Sequence, residues 1–252
     1  MEFVQMTKPI YKNEEFLINT FADLLFDVNH IAVGALSPIP GCAALLVQEA
    51  EKKKGRNSVQ VSIIHGDANN PFTDGGRELF DCVGQGRIDA FFLGGGEIDG
   101  EANINLLGIG DYPNLTKRFP GSFGSAYVYF VIPKVILFAP EHSRRVLVEK
   151  VKFISAPGIS PPEIYRPGGP KFLVTNKCVM SFDASSRQFT LVSTHPGISL
   201  EDVLDNTGFD FDIAKNITIT SEPDLDRLTL LRRSVGPKIA KTYPEFAARV
   251  FN

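Results

Sequence analysis

Apolar positions in the first half of the chain switch between two periods. Within residues 13–27, Phe16, Leu17, Thr20, Phe21, Leu24 and Leu25 recur at helical spacing behind Asn13. Glu14 and Glu15 stand in the first turn, where carboxylates suit the helix dipole, so an amphipathic helix capped by Asn13 is predicted. Residues 30–35 read as a buried strand, 37–40 as a turn, and 41–54 as a second helix ending on three lysines. The pattern continues with a strand at 59–64, a helix at 78–84 and a short strand at 90–93. Residues 131–139 and 151–155 read as strands flanking a basic stretch, and 171–175 and 190–193 as hairpin strands. Short buried strands alternating with helices predict an α/β fold with a mainly parallel sheet.

No repeat, low-complexity linker or composition shift divides the chain, so one domain over residues 1–252 is expected. Residues 157–170 hold five prolines and three glycines, and read as an ordered surface excursion. Two loops fall at the C-terminal ends of predicted parallel strands, His65-Gly66-Asp67 and Gly94-Gly95-Gly96. Open α/β sheets bind ligands at such strand ends.

Charge narrows the partners. The 26 basic residues are outnumbered by 29 acidic ones, for a net charge of -3 over 252 residues, which argues against nucleic acid. Cys42, Cys82 and Cys178 are widely spaced and odd in number, the pattern of small core residues in a reducing compartment. The first sixteen residues mix lysines and glutamates without an apolar run, and the longest uncharged run, 28–48, is broken by Pro38, Pro40 and Gly41. A cytoplasmic chain with no membrane span is therefore expected, in which the sequons at Asn114 and Asn216 carry no glycan.

Candidate chemistry gathers in residues 91–110, FFLGGGEIDGEANINLLGIG. Consecutive glycines after a strand let a ligand approach the backbone, so N–H groups around Gly95 and Gly96 are candidate donors to an oxyanion. A turn that merely needs positive φ is the competing reading. The run is not a dinucleotide fingerprint, because Asp99 stands where the third glycine belongs. Asn103 and Asn105 follow. Lys117 and Arg118, ahead of Gly121 and Ser122, form either an anion-holding turn or a solvated basic loop. Among the histidines, His30 reads as a core or strand-edge residue and His142 and His195 fall near turns. Only His65, beside Asp67, lies where the topology puts acid–base or nucleophilic chemistry. No metal-ligand spacing is present.

Three ordered segments resemble the class I CoA transferases, in particular the beta subunit of glutaconate CoA-transferase-like enzymes. Gly94-Gly95-Gly96-Glu97-Ile98-Asp99 through Asn103-Ile104-Asn105 is similar to the family's G-G-x-x-x-D…G-N-x-N run. Lys117 to Gly124 resembles its P-K-x-R-x-x-G-S-G-G turn, and Ser199 to Phe209 its P-E-x-V-x-x-x-T-G-F element. The resemblance implies an open α/β sandwich, an acyl-CoA substrate with no further cofactor, and an alpha subunit completing a heterodimer or heterotetramer. It also implies a nucleophilic glutamate after the strand at 59–64, but His65 stands there. Branches without that glutamate hydrolyse or decarboxylate CoA esters, including steroid-ring-degrading subunits, and Ser193-Thr194-His195-Pro196-Gly197 is similar to a stretch in those chains. The expectation is thus an acyl-CoA-processing beta subunit of hydrolase or lyase chemistry, with His65 or Asp67 handling a proton. The alternatives are a true transferase whose carboxylate comes from Asp67 or the alpha subunit, and a catalytically silent binding subunit.

Overall fold

The computed structural model describes residues 10–56, 58–64, 66, 70–72 and 75–251. The chain runs through α1 (Asn13–Leu24), β1 (His30–Val33), α2 (Pro38–Lys53), β2 (Gln60–Ile63), α3 (Gly75–Gly84) and β3 (Ala90–Leu93), the alternation that the periodicity predicts. Two small hairpins follow, β4 (Glu97–Ile98) with β5 (Ile104–Asn105) and β6 (Gly108–Asp111) with β7 (Asn114–Arg118). Helix α4 (Ser125–Val131) returns the chain to β8 (Lys134–Ala139). Strands β9 (Pro170–Thr175), β10 (Cys178–Asp183) and β11 (Gln188–Thr194) form a meander. After it come α5 (Leu200–Asn206), β12 (Asp212–Ile219), α6 (Leu225–Leu230), a π-helical turn at Leu231–Val235, α7 (Gly236–Ile239) and α8 (Pro244–Phe251). No helix of the described residues is long and apolar enough to cross a membrane.

The main sheet has the order β12-β11-β10-β9-β8-β3-β1-β2, and every strand except β10 runs the same way. Successive strand residues point to opposite faces, and each face has its own core. Ile31, Val33, Phe92 and Ile136 pack with α1, α2 and the C-terminal helices. Ala32, Phe91, Val135 and Leu137 pack with α3, α4 and Val203 of α5 on the other side. The result is the open, mainly parallel α/β sandwich that was expected.

Several boundaries differ from the sequence reading for local reasons. Lys12, not Asn13, is the cap of α1, because Glu15 reaches back to accept its N–H at 2.9 Å. Residues 38–40 are helix rather than turn. Pro38 occupies the first helical position, where a fixed φ and a missing N–H are harmless. The apolar run 131–139 is the end of α4 followed by β8. Residues 151–155 form no strand; the N–H groups of Val151 and Lys152 go to the Asp99 and Glu97 carboxylates instead, at 3.3 and 2.9 Å. The segments read as hairpin strands, 171–175 and 190–193, are hairpin strands, each paired antiparallel with β10, which carries no such reading.

A charge pair ties the two ends of the chain together. Glu15 is fully buried, and both its oxygens accept from Arg232 in the π-helical turn, at 2.6 and 2.8 Å. Arg232 also donates to the Ile10 carbonyl at 2.9 Å.

Candidate active site

Connectivity places the site. Strand β2 flanks β1 on one side and β3 flanks it on the other, so the chain leaves β1 through α2 on one face and reaches β3 through α3 on the other. At such a switch point the loops after β1 and β3 diverge and leave a crevice beyond the C-terminal strand ends. Its rim is Gly34–Ser37 after β1 and Gly94-Gly95-Gly96 after β3. The β1 loop had no signal in the sequence, yet Leu36 there is held at φ 60° and is 89% exposed. His65 and Asp67 lie outside the described residues. Gly66 between them is buried, and its N–H donates to the Ile63 carbonyl at 3.0 Å, turning the chain at the end of β2.

The three glycines are required by close approach, not by positive φ, since none adopts the left-handed region. A Cβ on Gly94 would lie 2.8 Å from the Phe138 carbonyl oxygen, and one on Gly96 2.1 Å from the Phe119 ring. On Gly95 it would lie 2.3 Å from Ile104 Cγ2 and 2.8 Å from the Glu97 carbonyl oxygen. The N–H of Gly96 donates to the Asn105 carbonyl at 2.9 Å, which corrects the expectation that both Gly95 and Gly96 face an oxyanion. The Gly95 N–H takes no acceptor among the described residues and remains the candidate donor.

Asn103 and Asn105 are buried and bonded within the fold. The Asn103 amide donates to Asp99 Oδ2 at 3.1 Å and accepts the Gly158 N–H at 3.1 Å. Asp99 Oδ1 also takes the N–H groups of Glu101 and Asn103, at 3.1 and 3.0 Å. The Asn105 amide donates to Glu97 Oε2 at 2.7 Å and to the Gly108 carbonyl at 2.8 Å. Its oxygen accepts from Leu107 and Gly108 N–H at 2.9 and 3.2 Å. These side chains fix the backbone beyond the glycine loop and leave little capacity for a ligand.

The basic turn meets the glycine loop through Phe119, a residue without a sequence signal. Its ring covers Gly96, and Lys117 Nζ lies 5.8 Å from the ring centroid. Alternation along β7 puts Arg118 on the other face of the hairpin, so the two cations do not act together. Gly121, at φ 99°, donates to the Leu106 carbonyl at 3.0 Å, and the Ser122 carbonyl accepts the Ser125 N–H at 2.7 Å. Beyond β8, Glu141 accepts the Ser143 hydroxyl at 2.5 Å and pairs with Arg145. Those hydrogen bonds, aided by the nearby Lys117 charge, hold its carboxyl below the usual range.

His142 and His195 share a buried polar layer at the same sheet edge. His142 bridges the hydroxyls of Thr175 and Thr207, both at 2.9 Å, and His195 Nε2 donates to the Thr175 carbonyl at 2.9 Å. Because the Thr207 hydroxyl gives its proton to the Val203 carbonyl at 2.8 Å, His142 Nε2 is the donor toward it. Burial, with the Lys177 charge adding to it, pushes the His142 pKa down to about 4. A histidine with a depressed folded pKa leaves stability constant above its unfolded value and removes it as pH falls. Urea midpoints should therefore drop between pH 6.5 and pH 4 by the equivalent of about 3 kcal/mol from this group. His142→Gln should flatten that dependence while lowering stability at pH 7; an unchanged pH profile would refute the assignment. His30 lies at the opposite edge, half-buried against Ser62 Oγ at 2.8 Å, as a strand-edge residue should.

Residues 17–206 match the family model for coenzyme A transferases. The chain belongs to the coenzyme A transferase family. The chain is 34% identical over 153 residues to a glutaconate CoA-transferase subunit of Acidaminococcus fermentans, covering 58% of the chain and 56% of that protein. It is 29% identical over 166 residues to the IpdB component of the cholesterol ring-cleaving hydrolase of Rhodococcus jostii, covering 64% of the chain and 65% of that protein. The match thus spans between about half and two thirds of these curated relatives. In overall fold the family member resembles IpdAB of Rhodococcus jostii RHA1, with a TM-score of 0.78 at 22% identity over 97% of this chain and 100% of that one.

Proposed function

We propose that the chain is the beta subunit of a heteromeric enzyme that processes an acyl-CoA thioester at the crevice between β1 and β3. The observation that carries this reading is the three-glycine loop at the C-terminal edge, pressed closely on its neighbours, with a Gly95 N–H that has no acceptor among the described residues. A thioester carbonyl placed there gains a donor for its developing oxyanion, where one such bond lowers the barrier by about 3 kcal/mol. Asn103 and Asn105 keep the loop in position through Asp99 and Glu97. Lys117 attracts the anionic portion of the CoA ester, with Arg118 in a peripheral role on the far face of the hairpin, and Gly121 and Ser122 shape the turn between them. His65 or Asp67, which follow β2 in the sequence, moves the proton. With histidine in place of the glutamate, the chemistry is hydrolysis or lysis, and the likeness to a component of a ring-cleaving hydrolase supports this.

One observation favours a second reading: the relative of higher identity belongs to a transferase. Transfer would need a carboxylate from Asp67 or from an alpha chain, and would pass through an enzyme-bound CoA thioester. The complex purified with its alpha partner separates the two when incubated with acyl-CoA and borohydride. Hydrolase or lyase chemistry predicts continued activity; loss of activity, by reduction of a carboxyl-CoA thioester, would establish transfer. Full turnover by the alpha chain alone would instead make this chain a silent binding subunit.

A further inference from the structure

We propose that the Ser125 hydroxyl is a second donor to the acyl carbonyl oxygen, acting beside the Gly95 N–H; the proposal rests on the acyl-CoA reading above. Ser125 is 5% exposed, and its Oγ is the buried side-chain polar atom left without a hydrogen-bond partner among the described residues. Buried hydroxyls are almost always satisfied, and an alanine would fill the same space without the desolvation penalty. An orphaned hydroxyl at this position is explained if a ligand completes it.

Topology places it at the edge that carries the crevice. Helix α4 is the crossover between the adjacent parallel strands β3 and β8, so it runs antiparallel to them and its first residue, Ser125, lies at their C-terminal edge. The glycine loop and the preceding turn are both tied to the Asn105-Leu106 segment: the Gly96 N–H donates to the Asn105 carbonyl at 2.9 Å, and the Gly121 N–H to the Leu106 carbonyl at 3.0 Å. One helical turn on, and on the same face, Tyr129 donates its hydroxyl to the Ala102 carbonyl at 2.8 Å. That face of α4 therefore looks toward the segment beyond the glycine loop, and Tyr129 is satisfied there while Ser125 is not.

The turn that leads into Ser125 is strained. It carries Gly121 at φ 99° and Phe123 at φ 45°, and Phe123 is 85% exposed with its ring against Phe80, centroids 5.4 Å apart. A phenylalanine in the left-handed region is strained, and such strain is found where a backbone moves on binding.

The test uses the complex of this chain with its alpha partner, with acetyl-CoA and glutaconyl-CoA as probes. Ser125→Ala is expected to lower kcat about 100-fold with KM changed by no more than about threefold, and to leave the melting temperature equal or higher. Ser125→Cys, of similar size but a weaker donor, should fall between. Full kcat in Ser125→Ala, with acetyl-CoA binding intact by calorimetry, overturns the role of Ser125 and leaves the acyl-CoA reading standing. A lower melting temperature with activity lost in proportion to unfolded protein makes Ser125 structural and overturns the proposal. A wild-type complex that binds neither probe overturns both.

Discussion

Arg232→Met is expected to destabilise the protein by about 3–5 kcal/mol, although Arg232 itself is 42% exposed at the side chain. The cost arises at its partner. Glu15 has 1% of its side chain exposed, and without the guanidinium its carboxylate keeps, among the described residues, the Lys12 N–H as its hydrogen-bond donor. A buried charge stripped of its counter-ion is far more costly than a pair removed whole, so the double variant Glu15→Met with Arg232→Met should recover most of the loss. Urea unfolding followed by circular dichroism reads all three variants. A loss below about 1 kcal/mol in Arg232→Met would show that water reaches Glu15 and that the pair is an ordinary surface contact.

Gly95→Ala should be at least as damaging to function. Its Cβ would overlap Ile104 Cγ2 at 2.3 Å and the Glu97 carbonyl oxygen at 2.8 Å, and the backbone atom cannot rotate away. Overpacking of this kind costs about 1–3 kcal/mol, and displacing the N–H from the thioester oxygen should lower CoA-ester turnover by about 100-fold or more. Gly55→Ala is the matched comparison. It sits at φ 77° in open space after α2, so it tests backbone strain alone, at about 1–2 kcal/mol, and should leave turnover intact. Equal turnover in the two variants would remove Gly95 from the site.

The α/β class was legible because buried strands such as Ile31–Val33 and helices such as α1 have clear periods. What escaped the sequence was set by contacts between distant segments. The segment Pro38-Ile39-Pro40 has the composition of a turn, and only the position of Pro38 at the start of α2 makes it helical. Residues 151–155 have strand composition, but the carboxylates of Glu97 and Asp99 take N–H groups that a neighbouring strand would otherwise accept. Strand β12 is largely exposed on both faces and offers no alternation to read. At the site, the glycine loop could be found from its composition, whereas the reason for it could not: Phe119 and Ile104, which leave no room for a side chain, are 23 and 9 residues away from the glycines they crowd. Ser125 carries no motif of its own, and its significance is the absence of a partner in three dimensions among the described residues.

The β6–β7 hairpin pairs only with itself in the described residues, and its base is tied to the body by the Leu106 N–H on Ser155 Oγ and the Asn105 amide on the Gly108 carbonyl, both at 2.8 Å. Its tip therefore contributes no strand to the main sheet, and its length can vary without altering sheet registration. Insertions and deletions at the exposed Tyr112–Pro113 tip would therefore give evolution, or an engineer, a segment of adjustable length while the glycine loop stays constant.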